Sequence, residues 1–403
     1  MKKLMLLGGS RYLISVIKKA HELGIYVITC DYLPDNIAHK YSDEYCNVSV
    51  IDKETVLDIA REKRIDGIMS FACDPGVVTA SYVAEKMNLS FQGSYEATRI
   101  LQDKGLFRKF LSDNKFNVPK SKRYTSIVSA INDTDYFSLP VMVKPVDSAG
   151  SKGVTRVVKL SEFENALTIA MDNSLCKSII VEDFIEFEGY HSSADVFTVD
   201  GKLKFITYSD QLFDNTAENP YTPAYIIWPS TMKKENQDYL TAEIQRLMSL
   251  LNMKTGIYNI ETCVGKDGEP YIMEVSPRGG GCKIAEIQNM AYGVDLIENE
   301  IRNAVGLPLN NINEYECSGY WCEMVVHSNI KESGKLKNIN IASDIKARYL
   351  KKMDISVKNG EIVQAFTGAN MSLGDIFLRF DSREELNDII SKQRDWLKIE
   401  LEE

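Results

Sequence analysis

The residues whose types and spacing most clearly suggest chemistry lie at positions 257–276, which are predicted to form two strands joined by a tight turn. Asp267-Gly268 is a strong short-range signal for a β-hairpin. With these two residues as the turn, and because side chains alternate along a strand, four polar residues share one face: Glu261 opposite Glu274, and Asn259 opposite Ser276. The other face is mostly apolar and fit for the interior, with Ile260, Thr262 and Val264 against Tyr271, Met273 and Val275.

Two carboxylates directly opposite each other repel, so the pair Glu261 and Glu274 admits two interpretations. Both are solvated on an outer face, or one carries a proton; alternatively they hold a divalent cation between them. Mg²⁺ prefers carboxylate oxygens and is commonly shared with substrate phosphates. Arg278 and the glycines at 279–281 follow, and they add a cation and a loop with N–H groups suited to an anion. The hairpin by itself leaves both interpretations open.

Two further segments have the residue types that bind a nucleotide. Lys144 ends an apolar strand just before a glycine- and serine-containing loop at 147–153, where a lysine and backbone N–H groups can reach a phosphate. The loop is no Walker A motif, and an ordinary hairpin explains it equally. Residues 181–186 follow another apolar strand, and a strand that leaves its sheet there exposes backbone groups that can pair with the edge of an adenine ring.

The first hundred residues alternate between strand and helix signals, which predicts a parallel sheet with right-handed crossovers. The expected strands are 4–7, 26–30 and 67–71, and the expected helices are 12–23, 55–63 and 77–87. Ligands bind such sheets at the carboxyl ends of the strands, where Gly8-Gly9-Ser10, Asp31 and Asp74 lie. Because the third glycine of a dinucleotide fingerprint is missing, we interpret the glycines as a tight strand-to-helix turn.

The rest of the chain is predicted to be mixed. Residues 209–230, with three prolines, read as irregular, and the last ninety residues read as strands and turns that close on a charged helix from Glu384 to Glu402. No internal repeat is visible. Cys282 beside the glycine loop suggests a catalytic thiol, but no histidine stands in a position to activate it, so we disfavour that interpretation.

Length and composition bound the class of protein. The chain has 403 residues, enough for two to four domains at about 150 residues each. Its net charge of −10 disfavours nucleic acid or an anionic membrane as partner. The apolar run after Lys2-Lys3 is far too short for a signal peptide, and no stretch suits a membrane span, so we expect a cytoplasmic protein. Eight cysteines without a C-x-x-C pair and four scattered histidines predict reduced thiols and no structural zinc.

The order of these elements resembles the ATP-grasp superfamily, in particular its carbamoyl-phosphate-synthase-like and L-amino acid ligase members. The resemblance rests on Lys104, Lys144 with its loop, Glu182-Asp-Phe-Ile, Glu261, and Glu274-x-Ser-x-Arg278, and at the far end on residues 374–380. It implies an α/β and α+β protein with an ATP-grasp fold. The implied division is a Rossmann-like parallel-sheet domain at 1–103, a two-lobed ATP-grasp core at 104–310 with a mobile lid at about 115–185, and a C-terminal α+β lobe at 311–403.

The resemblance also implies roles at individual positions. Lys104 and Lys144 would hold the α- and β-phosphates, although Lys104 could be a plain solvated lysine. The mobile lid over the phosphates would be Ser148, Ala149, Gly150 and Ser151. Other nucleotide contacts would come from Glu182 and Phe184 at the adenine hinge, from Glu188 or, as second choice, His191 at the ribose, and from Met273. Glu182 could instead be only a strand-end acid.

The implied metal ligands are Glu261, Glu274 and Ser276, the last in place of the asparagine usual in the family. Arg278, with Lys144, would be catalytic and would bind the acyl phosphate. The implied reaction is an ATP-dependent carboxylate–amine ligation through an acyl phosphate, with Mg²⁺ as cofactor and Mn²⁺ as a substitute. The alternatives are a biotin-carboxylase-like or carbamoyl-phosphate-synthase-like enzyme that activates bicarbonate, and a nucleotide-binding regulator with a degenerate site.

The partners expected from the resemblance are a small carboxylate and an amine, with an amino acid on at least one side, and neither nucleic acid nor membrane; a homodimer stays open. Substrate choice is expected to depend on Arg278, on residues 210–228, and on strand-end residues Ser10, Arg11 and Asp74. The aromatic residues of that segment suggest an apolar pocket or, alternatively, only loop packing: Tyr221, Tyr225 and Trp228.

Overall fold

The N-terminal part is a four-stranded parallel sheet in the order β3-β2-β1-β4, which confirms the predicted alternation. The computed structural model describes residues 1–148, 150–312, 315–328 and 333–402. The strands are β1 Lys3–Leu7, β2 Tyr26–Asp31, β3 Glu44–Asn47 and β4 Gly67–Ser70. The helices are α1 Leu13–Glu22, α2 Lys53–Lys63, α3 Asp74–Met87 and α4 Tyr95–Gln102, with a 3₁₀ turn at Ile37–Lys40. Apolar clusters cover both faces of the sheet, as parallel sheets require.

The turn after β1 needs its two glycines for different reasons. Gly8 has φ of +120°, a region that favours glycine. A Cβ on Gly9 would lie 2.6 Å from the Cβ of Asn36, so the backbone passes too close for a side chain. The structure thus confirms a tight strand-to-helix turn.

A second unit follows the helix α5, Lys104–Asp113. Its antiparallel sheet has the order β5-β8-β6-β7, with β5 Ser121–Tyr124, β6 Val141–Pro145, β7 Thr155–Val157 and β8 Ile179–Asp183. Two helices, α6 Ile127–Ile131 and α7 Phe163–Asp172, and two 3₁₀ turns, Thr134–Tyr136 and Leu160–Glu162, complete it. One sheet face packs with these helices in an apolar cluster of its own, and the other face carries Met142, Lys144 and Glu182.

The central sheet has the order β10-β9-β13-β14 and carries the acidic hairpin. Its strands are β9 Ser192–Val199, β10 Lys202–Phe205, β13 Gly256–Val264 and β14 Pro270–Ser276. The associated helices are α8 Lys234–Leu250, α9 Ile284–Tyr292 and α10 Leu296–Ala304. Ile260, Ile272 and Val275 pack with α8 and α4 in one apolar cluster, so the opposite face of the hairpin is available to a ligand.

An antiparallel sheet of five strands joins segments that lie far apart in sequence. Its order is β11-β12-β15-β19-β17, with β11 Asp210–Phe213, β12 Pro223–Trp228, β15 Tyr320–Val326, β17 Leu350–Ile355 and β19 Gly374–Phe380. The expectation that residues 209–230 are irregular holds for 214–222 and is wrong for 210–213 and 223–228. These two segments form β11 and β12 because β12 pairs with β15, a partner about a hundred positions away that local patterning does not reveal.

The C-terminal segment also departs from the expectation. The last sheet has the order β18-β16-β20, with β16 Gly334–Ile341, β18 Ile362–Val363 and β20 Leu397–Leu401. The helices are α11 Ser343–Arg348, α12 Arg383–Ser391 and the short α13 Gln393–Trp396, with a 3₁₀ turn at Ala369–Met371. The predicted helix from Glu384 to Glu402 is thus wrong beyond Trp396, because Leu397, Ile399 and Leu401 alternate with polar residues and pair with β16.

None of the helices in the described ranges is both long and apolar enough to cross a lipid bilayer.

Glu300 on α10 anchors the start of β13. Its carboxyl group is 2% exposed and accepts hydrogen bonds from Gln92 Nε2 at 2.5 Å and from the Ile257 N–H at 2.8 Å. Burial raises the pKa of this carboxyl group to about 8. At neutral pH the folded protein therefore keeps a proton on Glu300 that the unfolded chain releases.

We expect Glu300→Gln to change how stability depends on pH. Between the ordinary glutamate pKa of about 4.3 and the folded pKa, the folded state binds one more proton than the unfolded state, so the free energy of unfolding falls as pH rises. The variant lacks this loss, and its stability relative to the parent should rise by up to about 1.4 kcal/mol per pH unit from pH 5 to 8. Denaturant unfolding at several pH values measures this. The control is Glu298→Gln on the same helix, where Glu298 pairs with Arg302 at 2.8 Å; its free energy of unfolding should depend on pH as that of the parent does. The same pH dependence in Glu300→Gln as in the parent would contradict the expectation.

Candidate active site

The acidic hairpin has the predicted pairing. Glu261 lies opposite Glu274 and Asn259 opposite Ser276. The turn is one residue longer than expected, because the Gly265 N–H bonds to Glu269 O and leaves a three-residue loop. A β-bulge between the Glu261 and Thr262 pairs shifts the register by one residue in the opposite sense. The longer turn and the bulge therefore offset each other, and the two carboxylates pair as predicted.

The bulge also changes the position of Met273. Thr262 pairs with Ile272, not with Met273, and Ile272 enters the apolar cluster. Met273 and Glu274 are both half-buried neighbours at the bulge. The expectation that Met273 belongs to the interior face is therefore wrong, whereas its expected contact with the nucleotide stays a prediction.

Electrostatics at the paired carboxylates fit a cation. Burial and the charge of Glu274 raise the pKa of Glu261 to about 7. Lys104 Nζ lies 3.3 Å from Glu274 Oε2. Within the described ranges no group of three or more His, Cys, Asp or Glu side chains is arranged to hold a metal. The protein ligands that the hairpin offers are therefore the two carboxylates of Glu261 and Glu274. Mg²⁺ is commonly held by one or two carboxylates together with substrate phosphates, and this donor set fits that pattern.

Lys104 links the hairpin to the loop after β6. Asp103 caps the helix α5 through the Leu106 N–H at 2.9 Å, which sets Lys104 in the first turn. The Lys104 ammonium group also donates to Ser148 O at 3.2 Å. Burial opposes the charge, but Glu274 and Asp74 raise the pKa of Lys104, so the ammonium group stays protonated. The neighbouring Ala149 lies outside the described residues.

A buried ion-pair network joins α5 to the sheet β5-β8-β6-β7, which lies in the predicted lid region and is called the lid sheet below. Glu182 is 2% exposed and pairs with Lys144 and with Arg108, whose Nε lies 2.9 Å from Glu182 Oε2. Burial would raise the pKa of Glu182, but these two cations hold it at about 2. Arg108 also donates to Met273 O at 2.8 Å. Sequence reasoning missed Arg108, although its spacing of four residues from Lys104 places both on one helix face.

At the expected adenine hinge, two backbone N–H groups that were predicted to be free are hydrogen-bonded within the protein. The N–H groups of Asp183 and Phe184 donate to Lys120 O at 2.9 Å and to Pro140 O at 3.1 Å. The strand therefore does not leave its sheet at Phe184, whose ring carries the Arg156 guanidinium at 4.1 Å. In the part of the chain that is described, the next N–H group, that of Ile185, has no backbone partner.

The two candidates for the ribose lie in different surroundings. The side chain of Glu188 is 58% exposed, and its Oε1 lies 3.6 Å from Lys233 Nζ. The His191 ring packs against Phe187 with centroids 4.3 Å apart, and burial together with nearby Lys144 lowers its pKa to about 4. His191 thus interacts electrostatically with Lys144, a predicted phosphate ligand.

Arg278 is bound by a residue of the N-terminal sheet domain. Its Nη2 lies 2.6 Å from Asp74 Oδ1, and the residue is 7% exposed. Ser276 Oγ also donates to Asp74 at 3.0 Å and accepts from Gln102 Nε2 at 2.9 Å. The hydroxyl group of Ser276 therefore both donates and accepts a hydrogen bond within the protein. These bonds compete with its expected role as a metal ligand.

The glycine loop is held from beneath by Asp195 on β9, a residue that sequence reasoning missed. The fully buried carboxylate accepts from the Gly280 N–H at 2.9 Å and from Asn259 Nδ2 at 3.0 Å. Burial raises its pKa to about 6 although both donors oppose this. A Cβ on Gly279 would lie 2.1 Å from the Phe71 ring, so the loop passes directly over the N-terminal sheet. Contrary to expectation, the Gly280 N–H is thus already bonded within the protein.

The loop after β6, which the resemblance predicts to be a lid, lies against two other loops. Ser151 has φ of 60°, and its hydroxyl donates to Tyr221 O at 3.3 Å. The loop is anchored at its start by Asp147, whose carboxylate accepts from the Cys176 N–H at 2.7 Å. Gly150 has φ of 64° and open space around its Cα. Of the described residues in this loop, Ser148 accepts a hydrogen bond from Lys104 and Ser151 donates one to Tyr221.

We expect Mg-ATP to slow amide hydrogen exchange of residues 150–153 several-fold, because bound phosphates would add partners for this segment. Mass spectrometry of the protein with and without nucleotide measures the effect. The helix α7 supplies internal control peptides, and Mg²⁺ without ATP should leave the loop unchanged. Equal exchange in the presence and absence of saturating Mg-ATP would show that the loop is no lid.

The remaining residues expected to choose the substrate divide into two groups. Trp228 is fully buried in an apolar cluster, and Tyr225 packs against the core between the two C-terminal sheets, so for these two the packing interpretation holds. Tyr221 is at the surface, next to the lid. Arg11 reaches across to the C-terminal sheet and pairs with Asp375 at 2.5 Å, while Ser10 is exposed.

Comparisons with known proteins agree with this geometry. Residues 101–282 match the model of the ATP-grasp domain family. The carbamoyl phosphate synthase large chain of Thermoanaerobacter sp. (strain X514) is 24% identical over 345 residues, which cover 83% of this chain and 31% of that protein. The chain thus spans about a third of the length of such large chains.

Two solved structures resemble the whole chain. An L-amino acid ligase from Bacillus licheniformis superposes with a TM-score of 0.83 at 21% identity, covering 100% of this chain and 99% of that one. A phosphoribosylglycinamide synthetase from Anaerococcus prevotii superposes with a TM-score of 0.77 at 20% identity, covering 100% of both chains. These likenesses confirm the predicted fold class.

Proposed function

We propose that this chain, whose residues 101–282 match the model of the ATP-grasp domain family, is an ATP-dependent carboxylate–amine ligase. ATP phosphorylates a substrate carboxylate to an acyl phosphate, and an amine then attacks to form an amide or peptide bond, with release of ADP and phosphate. The observation that carries the proposal is the pair Glu261 and Glu274 on one face of the hairpin, with Lys104 at 3.3 Å from Glu274.

The nucleotide would lie between the lid sheet and the acidic hairpin. Lys104 and Lys144 would hold the α- and β-phosphates, and Ser148, Gly150 and Ser151 would cover them. Lys144 would exchange its partner Glu182 for a phosphate, and Arg108 would remain to balance the Glu182 carboxylate. At the hinge, Glu182 and Phe184 would lie beside the adenine and the N–H of Ile185 would be the donor, since that of Phe184 is bonded to Pro140. His191 is the better ribose candidate of the two.

Glu261 and Glu274 would hold Mg²⁺, or Mn²⁺ in its place. A bound divalent cation would neutralise phosphate charge and bridge the nucleotide to the hairpin. Ser276 could join only by giving up its hydrogen bonds to Asp74 and Gln102. The contribution of the chain itself is to keep two carboxylates adjacent, which burial alone would disfavour.

In this proposal the side chains of the protein position ATP and the substrate for phosphoryl transfer, and the attacking nucleophile is the carboxylate of the substrate. A substrate carboxylate oxygen would attack the γ-phosphorus in line, and the bond from that phosphorus to the β,γ-bridging oxygen would break. The amine nitrogen would then attack the acyl carbon, lose a proton, and expel phosphate. Arg278 would balance charge on the transferring phosphoryl group, held in place by Asp74. Asp195 would keep the glycine loop in position beneath it.

A screen for ADP release tests this proposal. Purified protein with Mg-ATP would be offered amino acids and other carboxylic acids, singly and in pairs, with mass spectrometry of the products. Hydroxylamine added in place of the amine would trap an acyl phosphate as a hydroxamate. ADP release that depends on bicarbonate alone would instead indicate a carboxylase-type enzyme, and ATP binding without turnover on any acid would indicate a regulator.

The domain division at 103/104 and 310/311, a homodimeric state and a cytoplasmic location remain part of the same proposal. The five-stranded antiparallel sheet combines strands from both sides of the second boundary, since β12 pairs with β15. A chain truncated after residue 310 should therefore lose the partner strand of β12 and fold poorly.

A further inference from the structure

Two cysteines face each other across neighbouring strands of the N-terminal sheet. Cys30 on β2 and Cys46 on β3 are partners in the parallel register. Side chains of register partners lie on the same face of a sheet, and both cysteines pack in the apolar cluster that includes Val56 and Leu57 of α2. Both are free thiols in this structure. The two sulfur atoms are therefore neighbours in space, although the residues lie on different strands.

The spacing of the two strands suits a disulfide bond between these cysteines. Neighbouring strands lie about 4.8 Å apart, which is within the roughly 4.4–6.8 Å that separates the Cα atoms of disulfide-bonded cysteines. The Cβ atoms of such a pair must approach to about 3.5–4.5 Å. Because β3 is the edge strand of the sheet, it can shift towards β2 without breaking another strand pairing. A bond between the two sulfur atoms thus needs only a small displacement of an edge strand.

The two thiols differ in burial and in charge. Cys30 is 0% exposed, whereas Cys46 is only half-buried. A hydrogen bond from the Cys30 thiol lowers the pKa of Cys46 to about 7, and Lys63 acts in the same direction, whereas burial opposes it. The same hydrogen bond, together with burial, raises the pKa of Cys30. Near neutral pH, Cys46 is therefore the thiolate of the pair and Cys30 is the thiol that donates to it.

These properties match the two roles that thiol–disulfide exchange requires. The thiolate is the attacking species, and attack is most effective when the pKa of the thiol is near the ambient pH. Cys46 meets both conditions, and a buried thiol beside it can attack a mixed disulfide once one has formed. Cys176 is a useful contrast, because it is exposed but burial and Asp147 raise its pKa. The side chains that contact its sulfur are Ser174 and Arg123, each at 3.8 Å.

We propose that Cys30 and Cys46 form a redox-active dithiol that reacts with low-molecular-weight disulfides, for which glutathione disulfide is the probe. The Cys46 thiolate attacks one sulfur of the probe, the sulfur–sulfur bond of the probe breaks, and one glutathione leaves as a thiolate. The Cys30 sulfur then attacks Cys46 Sγ, its proton passes to water, and the second glutathione leaves as a thiolate. The cysteine pair loses two electrons, and the probe gains them.

The pair lies beside the edge of the sheet at which ligands are expected. The carbonyl group of Cys30 accepts a hydrogen bond from the Gly8 N–H at 2.8 Å, in the turn after β1. Asp31 follows Cys30, and its carboxylate accepts from the Leu33 N–H at 2.9 Å. A disulfide would close the segment between β2 and β3 into a covalent loop at this edge. The inference concerns the cysteine pair alone and does not depend on the proposed ligase function.

The proposal is tested by incubating the reduced full chain with glutathione disulfide at neutral pH. At intervals the remaining thiols are blocked with iodoacetamide, and peptides are mapped by mass spectrometry without reduction. The parent is compared with Cys30→Ala, Cys46→Ser and Cys176→Ser, and Cys176 is also an internal control in the other proteins. Circular dichroism before and after the reaction checks that the fold persists.

In the parent, glutathione should appear first at Cys46 and then decline as the peptides of Cys30 and Cys46 become linked. Cys30→Ala should retain glutathione at Cys46, because the second thiol is missing. Cys46→Ser should leave Cys30 unmodified, because that thiol is buried and protonated. Cys46 should react several-fold faster than Cys176 at pH 7, since a larger fraction of it is thiolate. Cys176→Ser should form the linkage as the parent does.

Three outcomes would overturn the proposal. Glutathione that persists at Cys46 in the parent would show that Cys30 does not attack the mixed disulfide. Absence of both glutathione at Cys46 and the linkage, in samples where Cys176 is modified, would show that Cys46 is unreactive. A linkage that forms only when the native circular dichroism spectrum is lost would show that the two sulfur atoms do not meet in the folded protein.

Discussion

Glu274→Gln should reduce ATP-dependent turnover at least a thousandfold and leave the fold intact. Glutamine keeps the shape of the side chain but removes the charge that, with Glu261, would attract a divalent cation to the phosphates. A thousandfold corresponds to about 4 kcal/mol of lost transition-state stabilisation, within the range expected for metal and charge effects in a closed site. Steady-state kinetics over a range of Mg²⁺ concentrations, with circular dichroism for the fold, measures the change.

The matched control for this variant is Glu269→Gln. Glu269 lies on the same hairpin but is exposed, and it accepts a hydrogen bond from Asn117 Nδ2 at 2.9 Å. This variant should keep parental kcat and parental dependence on Mg²⁺. If Glu274→Gln regained normal kcat at saturating Mg²⁺, Glu274 would contribute only to metal affinity, and normal kcat at low Mg²⁺ would exclude the metal site.

Arg278→Lys should lower kcat roughly thirty- to a thousandfold, with little change in ATP affinity. The planar guanidinium can hold a phosphate or carboxylate with two hydrogen bonds, whereas lysine supplies a point charge. Loss of one such interaction is typically worth about 2–4 kcal/mol. ATP affinity should persist because Lys104 and Lys144 would carry binding of the nucleotide. The measurements are kcat, the dissociation constant for an ATP analogue, and the melting temperature.

The structure makes a second role of Arg278 testable. Because Arg278 binds Asp74 at 2.6 Å, it could act mainly by joining the hairpin to the N-terminal sheet domain. In that case Asp74→Asn and Arg278→Lys should both lower the melting temperature and weaken ATP binding together. A catalytic role predicts a far larger loss of kcat for Arg278→Lys than for Asp74→Asn. Arg302→Lys, which alters an ion pair with Glu298 on α10, is the control and should keep parental kcat.

Much of the fold and the core of the site followed from local pattern. Alternating strand and helix signals predicted the N-terminal parallel sheet, and the pairing of Glu261 with Glu274 followed from one turn motif and the two-residue period of a strand. Such features are readable in a single sequence because their partners are sequence neighbours. The same reasoning failed for residues 397–401, where a distant strand, β16, decides between helix and strand.

The sequence by itself thus determined which side chains are candidates for the chemistry: the paired glutamates, Lys104, Lys144 and Arg278. The tertiary structure alone decided which partners these side chains have. Asp74 reaches Arg278, and Arg108 reaches Glu182, across 204 and 74 positions of the chain. Likewise, Glu323 on β15 lies between β12 and β19, strands from distant segments, and neither of its oxygens has a partner among the described residues. The physical reason is that charge partners and burial are set by distance in space, and side-chain periodicity carries no information about contacts of such long range.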